Sequence, residues 1–374
     1  MSVPLLDLKA QYATIRTEVE AALHRVVESQ GFVMGPEVEA FEASMAEYLG
    51  VPHAVGVASG TDALLLPLKA LDPRPGDEVI LPAFTFFATA GAAWNAGFKP
   101  VFCDVDPDTF NVTAETLDAA WSPRTRAAIP VHLFGQMAPM AEILAWAEAK
   151  GVVLLEDAAQ AVGARQREAD GGVSRMAGAW APVSAFSFFP TKNLGGFGDG
   201  GMVTALDDEL AERVRKLRVH GGRQMYHHEM VGTNSRLDAL QAAILSAKLP
   251  FLDRWAARRR ENACAYDGLL GEVAEVIVPK VVPGSFHVYN QYTLRVRRRD
   301  ELRAFLASRE IGSGVYYPVP LHLQECFASL GGRPGDLPVS EALCQQVLSL
   351  PIYPELREAD IQAVAAGVRE FYGA

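Results

Sequence analysis

Ser187-Phe-Phe-Pro-Thr-Lys192-Asn193-Leu-Gly-Gly-Phe-Gly-Asp-Gly-Gly201 is the stretch on which the reading of this chain turns. An apolar run from Ala185 to Phe189 reads as a strand and stops at Pro190. A single lysine then opens a loop dense in glycine, and Gly201-Met-Val-Thr-Ala205 resumes as a second strand. Upstream, Val152-Val-Leu-Leu-Glu-Asp157-Ala-Ala-Gln160 is another apolar strand that ends in a carboxylate. Lysine is the side chain that forms a Schiff base with an aldehyde, and it does so near neutral pH when its site disfavours the charge. An aspartate at a strand end can hold a pyridinium nitrogen protonated, which makes the ring an electron sink. Each half alone is weak. Together they are the pairing expected of pyridoxal 5'-phosphate.

Outward from this core, apolar strands alternate with helical stretches between residues 53 and 205. Strands are expected at Val55–Ser59, Glu78–Leu81, Pro100–Val105, Ala127–His132, Val152–Glu156 and Ser184–Phe188. Helices are expected at Asp62–Leu71, Phe87–Ala96, Ala114–Trp121 and Met140–Lys150. Unbroken apolar strands between helices predict an α/β fold with a mostly parallel sheet covered on both faces. Ligands of such sheets lie beyond the carboxyl ends of the strands, where Ser59, His132 and Asp157 all fall.

Helical periodicity then runs from Arg236 to about Leu270, with a kink expected at Pro250. Beyond it come strands at Tyr289–Val296 and Gly314–Tyr317 and helices at Asp300–Arg309, Ser340–Leu348 and Ala359–Tyr372, α+β in character. At 374 residues the chain is too long for one ordinary core. We expect a large α/β ligand-binding domain at 1–250, with an N-terminal helical arm, and a smaller C-terminal α+β domain at 251–374.

Composition narrows the function classes. Hydrophobic residues make up 49% and charged residues 21%, enough for sizeable cores. A net charge of −11 argues against non-specific nucleic-acid binding and anionic membrane surfaces. Cys103, Cys264, Cys326 and Cys344 are scattered without a C-x-x-C, as in a reduced cytoplasmic protein. No run reaches the length of a membrane span, and no signal peptide is visible. No metal is expected: His227-His228-Glu229 lacks further ligands at zinc-like spacing and reads as a solvated loop.

Other motifs gain meaning from position. Ser59-Gly60-Thr61-Asp62 follows a strand and opens a helix, a natural phosphate cradle, although alone it could be a plain cap by Thr61 or Asp62. Phe86, after the next strand, could stack on a flat ring, although either it or Phe87 could be core. Gln160 can share a side with Asp157 and bond a ring hydroxyl, and Ser187 can reach a phosphate. His132 reads either as a core histidine or as a ligand at the site edge. Gly196-Phe-Gly198-Asp-Gly-Gly201 matches G-x-G-x-x-G formally. It precedes a strand rather than opening a helix, so a dinucleotide site is rejected. The glycines let the backbone pass close to a ligand.

These residues resemble the DegT/DnrJ/EryC1/StrS family of sugar aminotransferases, which share the aspartate aminotransferase-like fold type I. The matching segments span nearly the whole chain. They are Pro4 to Tyr12, Gly35 to Val38, Ala58 to Leu64, Pro130 to Gln136, Glu156 to Gln160, Ser187 to Gly201, Gly232 to Gln241 and Tyr316 to Gln324. The resemblance implies a seven-stranded-type sheet between helices and a homodimer with shared active sites. It implies that Lys192 bonds the cofactor covalently and shuttles the proton, that Asp157 pairs with the ring nitrogen, and that Gln160 contacts the ring oxygen. Gly60, Thr61 and Ser187 would hold the phosphate, Phe86 would stack on the ring, and Asn234 would reach the phosphate from the other subunit. Arg236 and Tyr317 fall where relatives contact the nucleotide-sugar, and His132 is taken with them as a substrate-side residue.

The implied reaction moves an amino group, from L-glutamate as the expected donor, to a nucleotide-linked keto-sugar. The Lys192–Gly201 loop is similar to members that act at C3, whereas C4-acting members tend toward a threonine-rich loop ending in Gly-Glu-Gly-Gly. Tyr316 stands where uronate-acting relatives often carry histidine, which argues against a UDP-uronate. The stretch from Arg165 to Pro182 is longer than the usual basic turn. Alternatives kept open are a C4-keto-sugar or keto-cyclitol aminotransferase and a non-catalytic, cofactor-binding regulator. Dehydratase relatives replace the lysine with histidine, so Lys192 argues against them.

Overall fold

A computed structural model describes residues 2–167, 172, 174–224 and 226–374. Helices α1 (Leu8–Ser29) and α2 (Pro36–Leu49) lead into an alternating series. That series runs β1 (His53–Val57), α3 (Gly60–Ala70), β2 (Glu78–Pro82), α4 (Phe87–Ala96), β3 (Lys99–Cys103), α5 (Ala114–Ala120), β4 (Thr125–Ala128), α6 (Met140–Lys150) and β5 (Val153–Asp157). A small pair, β6 (Arg165–Arg167) and β7 (Ser174–Met176), precedes β8 (Val183–Ser187) and β9 (Gly201–Ala205). The central sheet has seven strands in the order β1-β9-β8-β5-β4-β2-β3.

All neighbouring pairs from β8 to β3 are parallel, and β9 is antiparallel to both β8 and β1. The exception has a direct cause. A parallel return needs a crossover helix, and the lysine loop between β8 and β9 contains none. The chain therefore turns back at the carboxyl edge, with Ser187 paired to Gly201 and Val57 paired to the same Gly201. The lysine loop is thereby pinned at the end where β1, β2, β5 and β8 finish.

Strand alternation sorts the cores. Val79 and Leu81 join one apolar layer with Leu64 of α3 and Ala90 of α4. Ile80 joins the other, with Phe41 of α2, Ile143 of α6 and, from α8 (below), Ala242. Both faces of the sheet are covered, and β2 and β9 are buried at every residue.

After α7 (Asp208–Leu217), the expected long helix is α8 (Ala239–Lys248), a 3-10 turn at Leu249–Phe251 and α9 (Leu252–Leu270). Pro250 lacks the N–H for the helical ladder, which accounts for the interruption. Arg236 to Asp238 lie outside the helix. A second core gathers Tyr266, Leu294, Leu302 and Ile361 around an antiparallel sheet, β10 (Val276–Ile277), β12 (Tyr292–Val296) and β13 (Val347–Leu350), backed by α9, α10 (Arg299–Ser308) and α12 (Glu358–Tyr372). Strand β11 (Ser285–Phe286) pairs instead with β6. Val3 bridges to Ile311 and joins the second core.

Two expectations here are corrected. The helix predicted at Ser340–Leu348 is α11 (Pro338–Gln346), and the following Val-Leu-Ser-Leu is the fully buried strand β13. Short apolar runs do not reveal their periodicity. Gly314–Tyr317 is not a strand; Gly314 alone bridges to Ser349. Part of the unusual Arg165–Pro182 stretch lies outside the described residues. Among the described residues, no helix is long and apolar enough to cross a membrane, and no cluster of His, Cys, Asp or Glu could hold a metal.

Candidate active site

The carboxyl edge of the sheet opens into a cavity of about 560 Å³ lined by Gly60, Thr61, Phe86, Asp157, Gln160, Ser187, Lys192 and Tyr317. Eight of the residues singled out from the sequence thus line one cavity. Three do not: His132, Asn234 and Arg236 are absent from this lining.

At the cradle, Ser59 caps α3, its Oγ accepting the N–H of Asp62 at 3.1 Å. The cap is therefore Ser59, and neither Thr61 nor Asp62. Gly60 and Thr61 sit in the first turn, where backbone N–H groups have no helical partner. Position 60 admits only glycine: a Cβ would lie 2.6 Å from Ser187 Cβ and 2.8 Å from its Oγ. The missing Cβ lets Ser187 lie close against the helix N-terminus.

Asp157 ends β5 and is 5% exposed. Its Oδ2 accepts the Thr89 hydroxyl at 2.8 Å and its Oδ1 accepts the Ala159 N–H at 3.2 Å. Burial raises its pKa, against the opposing pull of Thr89, Ala159, Lys192 and His132. Lys192 follows Phe189 in a tight turn, its N–H on the Phe189 carbonyl at 2.8 Å. Burial lowers its amine from 10.5 to about 8, with Asp157 pulling the other way. Such an amine is partly free base near neutrality.

The loop itself is clamped. From α8, Gln241 Oε1 accepts the Phe197 N–H at 2.7 Å and Lys248 Nζ donates to the Gly195 carbonyl at 2.6 Å. On the other side, Asn193 donates to the Val288 carbonyl and accepts from Asn290.

Gln160 spends Oε1 on the Phe134 N–H at 2.7 Å, which leaves Nε2 as its donor, 3.3 Å from the Tyr317 hydroxyl. Burial, then Asp157, push the Tyr317 phenol up. Phe86 is 56% exposed within the cavity wall, 6.0 Å from the Tyr317 ring. An aromatic left so open inside a cavity is free to stack.

His132 is corrected to a structural role. It is fully buried, with Nε2 2.9 Å from Glu156 Oε2 and Nδ1 accepting the Ala138 N–H. Those partners place the ring proton on Nε2, and neither nitrogen is free for a ligand. Burial raises the Glu156 pKa, but the His132 bond and the backbone donors Ala181 and Gly178 outweigh it, so the net shift is downward. Asn234 is exposed and Arg236 partly buried, and neither reaches the cavity of its own chain. The neighbouring Ser235 anchors this turn by donating to Asp62 Oδ2 at 2.7 Å.

Sequence reasoning missed Thr85 and Thr89, Asp199 and Gln291. The available signal was a pair of hydroxyls four residues apart, on either side of Phe86. The geometry fits pyridoxal phosphate. It provides a helix N-terminus against Ser187, a buried carboxylate with spare lone pairs, an amine of lowered pKa and an open aromatic face.

Comparison with known proteins agrees. The profile of the DegT/DnrJ/EryC1/StrS aminotransferase family matches residues 13–369. A pleiotropic regulatory protein of Geobacillus stearothermophilus is 49% identical over 374 residues, 100% of this chain and 99% of that one. The dTDP-3-amino-3,4,6-trideoxy-alpha-D-glucose transaminase of Streptomyces venezuelae is 46% identical over 99% of this chain and 96% of its own. A UDP-N-acetyl-3-dehydro-alpha-D-glucosamine 3-aminotransferase of Acidithiobacillus ferrooxidans is 44% identical over 98% and 97%. Among solved structures, S. venezuelae DesV in complex with a ketimine intermediate superposes with a TM-score of 0.96, at 45% identity, over 100% of this chain and 99% of that one. NtdA of Bacillus subtilis with bound PMP cofactor gives 0.91 at 29% identity, over 100% and 86%.

Proposed function

The chain belongs to the DegT/DnrJ/EryC1/StrS aminotransferase family, and from that premise we propose that it carries an amino group from L-glutamate to C3 of a nucleotide-linked keto-sugar, with pyridoxal 5'-phosphate as its bound group. The observation that carries this reading is a single lysine and a buried aspartate lining one cavity, beside a helix N-terminus that only glycine can open. Two relatives with 44% and 46% identity are named for 3-amino or 3-dehydro sugars, which favours C3.

When bound, the cofactor supplies an electron sink. The protein does the rest. Backbone N–H groups of Gly60 and Thr61 and the Ser187 hydroxyl hold its phosphate. Asp157 holds the proton on the ring nitrogen. Gln160 Nε2 donates to the ring oxygen, and Phe86 covers one ring face. Lys192 Nζ, as free base, takes a proton from the donor carbon in one half-reaction and returns one to the sugar carbon in the other. Tyr317 borders the substrate side.

The finer reading is a homodimer in the cytoplasm. Asn234 and Arg236 would complete the neighbouring subunit's site, in keeping with their exclusion from their own. The regulatory reading has one specific support, the name of the 49% identical relative. The relatives at 44% and 46% identity are named as amino-group-transferring enzymes, so we place it second.

The test is incubation with L-glutamate and a panel of nucleotide-linked 3-keto and 4-keto sugars and keto-cyclitols. Mass spectrometry and NMR of the product should identify a 3-amino sugar with 2-oxoglutarate released. Amination at C4 or of a cyclitol would redirect the substrate. No amination of any acceptor by cofactor-loaded protein would favour the regulator.

A further inference from the structure

Thr85 lies in the turn between β2 and α4 and Thr89 in the first turn of α4, and they are 2% and 1% exposed. A hydroxyl hidden this completely costs stability unless it is bonded. Inside helices a threonine commonly returns its hydroxyl to the carbonyl four residues back. Thr89 instead gives its hydroxyl to Asp157 Oδ2 at 2.8 Å, and the Thr85 hydroxyl lies 3.2 Å behind it.

Proton counting fixes the direction. An ionised carboxylate only accepts, and a threonine hydroxyl has one proton. The Thr89 proton therefore lies toward Asp157, and Thr85 must donate to Thr89. The two hydroxyls thus run in series, Thr85 donating to Thr89 and Thr89 to one oxygen of the carboxylate. The Ala159 N–H holds the other oxygen at 3.2 Å. Were Asp157 protonated, this order would lose its reason. The other titratable groups acting on Asp157 are Lys192, which lines the same cavity, His132, bound to Glu156, and Tyr317.

We propose that Thr89, backed by Thr85, is the positioning residue that keeps Asp157 ionised and fixed for the ring nitrogen of the bound cofactor. The inference rests on the reading of this cavity as a pyridoxal phosphate site. It adds a hydroxyl relay, Thr85 to Thr89, that meets the carboxylate at Oδ2.

The experiment reads the ring nitrogen directly. Apo-protein is titrated with pyridoxal phosphate labelled with ¹⁵N in the ring. Affinity is followed by fluorescence quenching and the protonation state by the ¹⁵N chemical shift. Thr89→Val keeps the shape and removes the donor. Losing one hydrogen bond to a charged group should weaken cofactor binding about ten- to a hundredfold. The ¹⁵N signal should move toward that of the unprotonated ring. Thr89→Ser should restore both.

Wild-type affinity and an unmoved ¹⁵N signal in folded Thr89→Val would overturn the proposal. If circular dichroism shows Thr89→Val to be unfolded, Thr85→Val reads the same relay one bond further out. A smaller displacement of the signal in the same direction supports the proposal, and none overturns it. Wild-type protein that takes up no pyridoxal phosphate would remove the functional reading and this inference with it.

Discussion

Lys192 should hold far more free-base amine at neutral pH than an ordinary lysine, and the size of the effect follows from its surroundings. Burial brings its pKa from 10.5 to about 8, with Asp157 the one opposing influence. At pH 7 an amine of pKa about 8 is roughly one-tenth unprotonated, whereas one at 10.5 is unprotonated in roughly one part in 3,000. The reactive fraction is thus about 300 times larger than for a free lysine. Apo-protein trace-labelled with acetic anhydride from pH 5 to 10, then digested and quantified by mass spectrometry, gives a titration curve for each lysine. Lys192 should reach half its maximal labelling near pH 8. Asp157→Asn removes the group that pulls the value up, so its midpoint should fall further. A Lys192 midpoint near 10, or a rise in Asp157→Asn, would refute the assignment of burial as the cause.

Other outcomes follow from the same geometry. Asp157→Asn should keep its cofactor but turn over about 10²–10⁴ times more slowly, the effect of losing ~3–5 kcal/mol from a buried charged partner; near-normal steady-state rates would make the carboxylate merely structural. Gly60→Ala, whose Cβ would press on Ser187 at 2.6 Å, should weaken phosphate binding about tenfold or more, checked by equilibrium dialysis against free pyridoxal phosphate. Lys248 is 3% exposed, and burial lowers it to about 8. Between about 8 and 10.5 the unfolded chain binds more protons than the folded one, so stability rises with pH. Lys248→Met should remove roughly 3 kcal/mol of that rise, and parallel urea-unfolding curves for both proteins from pH 7.5 to 10 would contradict it. Mixed Lys192→Ala and Asn234→Asp subunits should regain about a quarter of wild-type activity, because each hybrid dimer carries one undamaged site; hybrids that form without activity would place Asn234 in its own subunit's site.

What could be read from the sequence was local. The lysine loop, the strand-end aspartate and the Ser59-Gly60 cradle announce themselves through residue type at a strand terminus, and the alternation of elements sets the sheet that gathers them. What could not be read depends on partners distant in sequence. His132 sits at the ligand end of the sheet, yet Glu156 and Ala138 claim both its nitrogens. Thr89 looks like an ordinary helix residue until β5 brings Asp157 within 2.8 Å. Val347–Leu350 is too short for its periodicity to separate helix from strand. Asn234 and Arg236 lie outside the cavity lining of their own protomer, and the shared site we propose for them would be legible only with a second chain.

The consecutive acids of β5 show how one strand serves two ends. Neighbouring side chains on a strand face opposite ways, so Glu156 and Asp157 cannot both face the cavity. Glu156 turns inward and receives five donors: the Gly178, Trp180 and Ala181 N–H groups, the Ser184 hydroxyl and the His132 ring. Saturated in this way, its pKa falls despite full burial. It ties β5 to the turn at residues 178–181 and takes His132 with it. Asp157 has two donors and keeps lone pairs toward the cavity, so burial wins and its pKa rises. An unfinished donor set is what a cofactor's ring N–H can complete. Glu156→Gln would set an amide N–H among donors already in place, and the damage should appear in folding. Asp157→Asn should fold and fail in turnover, because its deficit lies on the side where the chemistry is done.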